Sequence, residues 1–370
     1  MARNPFLKAL SRVQSVADRC NIRPVLTHVL LDVQEGFLDI AATNLEVSMQ
    51  TRCAVEVIEP GTMTVSAKVL FDVINELPEA ETVLVRTDAR GRVRLSCGRA
   101  KFDLLGLPGE QFPTIPQAEG PYRLSLPAGL LAEMLAKTHF AISEDENRYA
   151  MNGLFLQVVS GEREEEGIIR AVATDGHRLA MVERSISHAL TEDREVIIPR
   201  KAVQEMRRLL EEGVEVVEII LDEQYIQLIR PDVMLVAQLV KGRFPDYTRV
   251  IPQGHPLHLT VNRMQLLGVV RRMSVLANEK SRGVRLEIER GVMRFNSNNP
   301  EQEEAEEEMQ VVLEGGESFG VGFNARYLRE FLSVMENEHI SFFVKNEELP
   351  VLLTDPAQLG TQFVLMPMSV

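Results

Sequence analysis

One order of segments recurs three times along this 370-residue chain, with a period of roughly 120–130 residues, and that recurrence limits the fold more than any single motif. A helical stripe over residues 4–20, with Phe6, Leu10, Val13 and Ala17 on its apolar face, opens the first unit. Strand patterns follow at 25–33, 36–42 and 46–58, then Thr62-Met63-Thr64-Val65, a Ser66 cap and a helix over 67–77. Strands at 82–87, 92–97 and 101–105 complete it. The second unit reads as a helix at 127–142, strands at 154–159, 167–173, 179–186 and 196–198, a helix at 199–210, and strands at 214–221, 225–229 and 233–239. The third reads as a helix at 262–277, strands at 284–288, 292–297, 303–312 and 319–323, a helix capped near Asn324, and strands at 339–344, 351–354 and 362–366. Units one and two both close on Phe-Pro followed by Ile-Pro, at Phe112-Pro113 with Ile115-Pro116 and at Phe244-Pro245 with Ile251-Pro252.

Each unit therefore holds two helices and about eight strands, an α+β pattern. The expected architecture is three repeated domains at residues 1–121, 122–252 and 253–370. Hydrophobic residues make up 45% of the chain, enough for real cores. Cys20, Cys53 and Cys97 fit neither a metal site nor a disulfide framework, which points to a reducing cytoplasm and no metal or other cofactor. The first residues lack the apolar core of a secretion signal and no run spans a membrane, so a cytoplasmic protein without membrane partners is expected.

The net charge is −14, which on average argues against nucleic acid, but binding depends on local fields. Basic residues collect on the helical stretches: Lys8, Arg12 and Arg19; Arg200, Lys201, Arg207 and Arg208; Arg263, Arg271 and Arg272. Acid collects at residues 162–166 and 301–308. If the helices share a surface, that surface is basic on an acidic protein; the other reading is ordinary solvated helix faces. There is no zinc finger, aromatic ladder or phosphate loop, so such a surface would hold a nucleic-acid backbone without reading sequence.

The most polar short stretch is Thr174-Asp175-Gly176-His177-Arg178-Leu179, between two strand patterns. Asp-Gly there predicts a tight turn at a sheet edge. Three readings compete: a catalytic His177 oriented by Asp175, a turn whose polar groups satisfy one another, and a partner-binding rim around an apolar pocket. No nucleophile signature accompanies the pair.

Several separated motifs resemble the beta subunit family of bacterial DNA polymerase III, the sliding clamps. They are Ala173-Thr174-Asp175-Gly176-His177-Arg178-Leu179-Ala180, Gly242-Arg243-Phe244-Pro245-Asp246-Tyr247, Ala277-Asn278-Glu279-Lys280-Ser281-Arg282-Gly283, Asn298-Asn299-Pro300-Glu301-Gln302-Glu303 and Val364-Leu365-Met366-Pro367-Met368. The resemblance spans the chain. It implies a non-catalytic processivity subunit: two chains close head-to-tail into a homodimeric ring, helices line a hole around double-stranded DNA, and antiparallel sheets form the outer wall. It implies partners that dock short peptides: the replicative polymerase alpha subunit, clamp-loader subunits, and other polymerases and repair proteins. The pocket so implied is lined by Met151, Thr174, Gly176, His177, Arg178, Leu179, Pro245, Arg249, Val250, Val364, Met366, Pro367 and Met368, with methionines and aliphatics as an adaptable floor and His177, Arg178 and Arg249 as a polar rim. DNA contacts are implied for Arg19, Arg23, Arg148 and Tyr149; Cys20 and Ala150 stand where the family has a basic and an aromatic residue. The dimer interface implied joins Arg99, Lys101 and Phe102 to Val275, Leu276, Glu303 and Glu304, basic edge to acidic edge. A hydrolase centred on Asp175 and His177, and a scaffold that binds peptides without forming a ring, are the alternatives from other classes.

Overall fold

In the computed structural model of the chain, the described residues are 1–370 without 18–22, 80, 89–90, 161–165, 188–191, 255, 280, 290, 317 and 370. The first repeat comprises α1 (Arg3–Val13), β1 (His28–Gln34), β2 (Phe37–Thr43), β3 (Val47–Ala54), β4 (Gly61–Ser66), α2 (Ala67–Glu76), β5 (Val83–Thr87), β6 (Arg92–Cys97) and β7 (Ala100–Pro108). The second comprises β8 (Tyr122–Pro127), α3 (Ala128–Thr138), β9 (Gly153–Ser160), β10 (Gly167–Thr174), β11 (Arg178–Ile186), β12 (Arg194–Pro199), α4 (Arg200–Leu210), β13 (Val216–Leu221), β14 (Tyr225–Arg230) and β15 (Val233–Gln238). The third comprises β16 (Leu257–Asn262), α5 (Arg263–Met273), β17 (Gly283–Glu289), β18 (Val292–Asn298), β19 (Glu304–Gln310), β20 (Val312–Glu314), β21 (Ser318–Asn324), α6 (Ala325–Val334), β22 (His339–Val344), β23 (Val351–Thr354) and β24 (Thr361–Leu365).

Each repeat divides its strands between two antiparallel sets. The first set is β4-β1-β2-β3, then β12-β9-β10-β11, then β21-β17-β18-β19. The second is β5-β6-β7, then β8-β13-β14-β15, then β20-β16-β22-β23-β24. Packing gathers the chain into two compact units: residues 1–132 with 201–239, and 133–200 with 240–370. The division runs through the second repeat, one set of strands going to each unit. Within the first unit β3 pairs with β15, Val47 opposite Ala237. Within the second unit β11 pairs with β24, Leu179 opposite Val364. Both are seams between the first set of one repeat and the second set of the next.

The strands in the corresponding positions at the chain's two ends are β19 and β7. β19 ends its sheet, bonded to β18 alone. Residues 100–105 of β7 bond to β6 on one side, while β4 reaches only residues 106–108 on the other. Among the described residues no strand pairs with the outer side of either segment.

Most elements fall where the periodicity puts them, and the exceptions have local causes. The first helix ends at Val13 rather than reaching Cys20, although Val16 and Ala17 remain buried, and Cys20 lies outside the described residues. α3 and α5 stop short of Ile142 and Ala277. Thr138 and Ser274 follow or close them, and their hydroxyls bond the carbonyls of Met134 and Val270 four residues back, at 2.7 and 2.5 Å. The strand expected over 303–312 breaks at Val311, whose amide bonds Gly291 O at 2.9 Å. β8 and β16 were not expected, though Leu124 and Leu126, then Leu259 and Val261, alternate with more exposed residues. In the first repeat their place is taken by Met1 and Ala2, which bridge to Thr82 and Val83. Asn262 and Asn324 cap α5 and α6 through the amides of Gln265 and Arg326, at 3.1 and 3.0 Å.

Candidate functional site

The site is built on the turn between β10 and β11. Asp175 Oδ1 accepts from the amides of His177 (2.9 Å) and Arg178 (3.1 Å). Thr174 Oγ1 accepts from the amide of Gly176 (3.1 Å) and donates to Arg178 O (2.6 Å). Gly176 sits at φ +88°, a conformation that costs a glycine little. Asp175 is thus spent on its own turn. Among the described residues no nucleophile is bonded to His177 and no group of side chains is arranged to hold a metal. The catalytic reading has no geometry behind it.

Arg178 corrects the expected rim. Its side chain is 3% exposed. Nε donates to Asp175 Oδ2 at 3.0 Å, Nη1 pairs with Glu330 of α6, and Nη2 donates to Phe140 O. Its guanidinium lies 4.2 Å from the Tyr327 ring centroid and 5.5 Å from that of Phe140. Burial pushes the Tyr327 phenol up, and the Asp175 carboxylate adds to the shift. Arg178 therefore locks the turn from beneath and leaves His177, which is exposed, and Arg249, 84% exposed beside Asp246 at 2.8 Å, as the polar groups facing water. The Thr248 hydroxyl and then Arg249 hold the Asp246 carboxyl below its ordinary range.

Under the turn lies an apolar cluster of Phe155, Val172, Leu179, Met181, Ile197, Phe244, Tyr247, Leu352 and Val364. Phe155 and Phe244 stack at 5.0 Å. Phe244 and Tyr247 anchor the segment that presents Pro245, Arg249 and Val250, all exposed. The ladder of β11 and β24 continues past its end, the Met366 amide donating to His177 O at 3.0 Å. Met366, Pro367 and Met368 follow half-buried, and the Met368 amide donates to Gly322 O at 2.9 Å. Met151, also half-buried, is held by its amide to Arg148 O at 2.8 Å. Of the expected pocket residues, Leu179 of β11 and Val364 of β24 belong to this apolar base, and Pro245 lies between Phe244 and Tyr247, which also belong to it. Phe155, Phe244 and Tyr247, which form that base, were not singled out from the sequence, although the Phe-Pro closer marked one of them.

Of the residues expected on DNA, Arg148 donates to Asp175 O at 3.1 Å, tying its loop to the turn. Tyr149 is 62% exposed, and a Cβ built on Gly242 would come within 3.0 Å of its ring. Arg23 is exposed at the end of its loop, and Arg19 lies outside the described residues. The basic helix faces are a further correction. Arg12 is buried against Glu212 and Asp232, and Lys8 also reaches Glu212, at 3.4 Å. Arg263 bonds Leu332 O and Asn337 O, Arg208 bonds Glu205 and Ser11 O, and Arg272 pairs with Glu307. Much of the helices' positive charge is neutralised within the chain.

Of the residues expected at a chain–chain interface, Lys101 is exposed and Phe102 half-buried on the free half of β7, with Arg99 exposed in the preceding turn. Of the basic residues just before them in sequence, Arg92 and Arg94 lie on β6 between two strands, Arg94 paired with Asp103 at 2.5 Å; Arg90 is outside the described residues. Val275 is 79% exposed and Leu276 half-buried just past α5, while Glu303 and Glu304 are exposed at the start of β19.

Family models described as the N-terminal, central and C-terminal domains of the DNA polymerase III beta subunit match residues 1–116, 125–246 and 248–369. The chain belongs to the beta sliding clamp family. The beta sliding clamp of Pseudomonas aeruginosa is 36% identical over 367 residues, covering 99% of this chain and 98% of the relative. A structure of the P. aeruginosa clamp bound to griselimycin has a TM-score of 0.93 at 35% identity, covering 100% of this chain and 98% of that one. A Caulobacter crescentus clamp, with polyethylene glycol bound to a proposed beta-motif tethering region, has a TM-score of 0.95 at 34% identity, covering 100% and 98%. The three repeats are clamp domains, and the chain is a clamp subunit of the replicative polymerase rather than an enzyme. No helix among the described residues is long and apolar enough to cross a membrane.

Proposed function

We propose that two copies of this clamp close head-to-tail into a ring around double-stranded DNA. The observation that carries this is the strand left over at each end of the repeat. Within one chain, β3 takes β15 and β11 takes β24, so the next pairing in the series is β19 with β7. These two segments carry unpaired edges, and they belong to opposite ends of one chain. A second copy supplies each missing partner, which makes the contact heterologous and closes it after two chains. The charges agree: Lys101 and Arg99 flank one edge, Glu303 and Glu304 the other, and Phe102 would pack against Val275 and Leu276 of the second copy. In this reading the domain boundaries are residues 1–121, 122–252 and 253–370.

The apolar base under the Asp175 turn would receive short peptides from the polymerase alpha subunit, the clamp loader and other polymerases and repair proteins. Support comes from Met366 and Met368, half-buried with unbranched side chains that adapt to varied partners, and from Pro245 and Val250, exposed on the segment that Phe244 and Tyr247 anchor in that base. DNA would be held through Arg19, Arg23, Arg148 and Tyr149: weakly, because much of the basic charge on the helices is already paired, and with strong salt dependence, because what holds it is arginine on phosphate. Isothermal titration with a polymerase tail peptide tests the pocket. Met366→Ala with Met368→Ala should weaken binding by at least about tenfold, the loss expected when anchors of a small interface are truncated. Unchanged affinity would move the site elsewhere.

A further inference from the structure

The Asp175 turn has a counterpart in the first repeat at Thr43-Asn44-Leu45-Glu46-Val47. Asn44 Oδ1 accepts from the amides of Glu46 (3.2 Å) and Val47 (2.8 Å), and Thr43 Oγ1 accepts from that of Leu45 (3.0 Å). Leu45, at φ +75°, stands where Gly176 does. From this anchor the ladders of the two repeats align position by position. Leu30, Ala41 and Gln50 correspond to Phe155, Val172 and Met181. Asp39 and its cross-strand partner Arg52 correspond to Arg170 and Glu183, and Asp32 to Gln157. Phe112 aligns with Phe244, and three residues further on the first repeat has Ile115 where the second has Tyr247, its own Ile-Pro following later at Ile251.

The second repeat fills this frame from its own chain. Phe155, Met181, Phe244 and Tyr247 close over it, and Arg170 bonds Glu183, Gln157 and the Tyr247 hydroxyl. The first repeat keeps the phenylalanine, as Phe112, but has Leu30, Ala41, Gln50 and Ile115 for Phe155, Val172, Met181 and Tyr247, and a cavity of about 290 Å³ remains between these five residues. Its ion pair is reversed, Asp39 now holding Arg52 at 2.7 Å. Asp32 stands directly opposite Asp39, with the Gln34 amide on it at 3.0 Å. A second cavity sharing Asp39 adds Glu35 and Phe37. Asp32 and Asp39 line the first cavity and Glu35 and Asp39 the second, and Arg52 pairs with Asp39 alone. Asp32 opposite Asp39 is a like-charge pair in the ladder, which is unfavourable and leaves Asp32 as the carboxylate open to a further cation.

We propose that this trough is a second docking site, for an extended peptide that places an aromatic side chain in the cavity beside Phe112 and an arginine or lysine against Asp32 and Asp39. The second repeat shows what completes the frame: aromatic rings together with a guanidinium. The volume lies at the lower limit of the roughly 300–1,000 Å³ of small-molecule pockets, which suits one or two side chains rather than a large ligand. The site is in the first repeat and does not depend on the pocket at the Asp175 turn.

The test is fluorescence anisotropy with a labelled, end-blocked peptide holding phenylalanine between two arginines, and a control with glutamates in place of the arginines. Saturable binding to the full chain is expected, at least tenfold weaker for the control. Ala41→Val with Gln50→Met, which installs the second repeat's residue types, should weaken binding tenfold or more. Asp32→Asn should weaken it and flatten its salt dependence, and decides the matter if the filled variant melts early. Met366→Ala with Met368→Ala should leave it unchanged. The proposal is overturned if the arginine peptide shows no saturable binding, if neither trough variant changes its affinity, or if only the methionine variant does.

Discussion

Gly176 and Leu45 occupy the same place in two copies of one turn, at φ +88° and +75°. A residue with a Cβ costs about 1–2 kcal/mol in that region. Gly176→Leu should therefore destabilise the protein by about that much, while Leu45→Gly should stabilise it, the gain trimmed by the freedom glycine has when unfolded. Urea denaturation of the two variants checks the opposite signs. The turn itself was legible, since Asp-Gly between strand patterns names it. The role of Arg178 was not, because its fixed partners, Phe140 and Glu330, lie far along the sequence. Removing one partner of a buried pair costs about 3–5 kcal/mol. Arg178→Met should lower the stability of the native protein by roughly that amount, read as a shifted urea midpoint; a loss confined to peptide affinity would return Arg178 to the rim.

At the scale of elements, α1, the end of α4 and the β14–β15 turn are tied by Arg12, Glu212, Asp232 and Arg230. Burial raises the Glu212 carboxyl, but the Arg12 hydrogen bond and the charges of Arg12, Arg230 and Lys8 outweigh it and hold it below the ordinary range. A carboxyl depressed on folding stabilises the native state above its unfolded pKa, about 4.3, and that contribution is lost as pH falls through the folded value. Glu212→Gln should therefore lower stability at pH 7 and shrink the further loss on acidification below about pH 4, as urea midpoints at the two pH values would register. The sequence put Arg12 on the polar face of its helix, whether as part of a shared basic surface or simply solvated, since a helical stripe separates faces but does not say which charged residue a distant acid will claim. The two unexpected strands, β8 and β16, show the same limit: each is short, and what makes it a strand is pairing with β13 or with β22 and β20.

For the whole molecule, the threefold order of elements was legible because helical and strand periods recur in the same sequence, with caps in the first and third repeats and matching closers in the first and second. The seams were not, because β3 with β15 and β11 with β24 join strands far apart in sequence. In the proposed ring, β7 and β19 form the last such seam, between two chains. Light scattering should give twice the chain mass for the native protein and a single chain for Val275→Ala with Leu276→Ala. Arg99→Glu with Lys101→Glu should weaken association more at low salt than at high salt, as screened charges require.

The most direct test is topological. The protein should be assembled on nicked circular duplex DNA with a clamp loader, then passed through a sizing column at high salt before and after the circle is cut. A closed ring predicts that protein stays with the circle, where its weak charge contacts cannot hold it, and is lost once the DNA is linear. Equal retention on circular and linear DNA, or no retention on either, would contradict it.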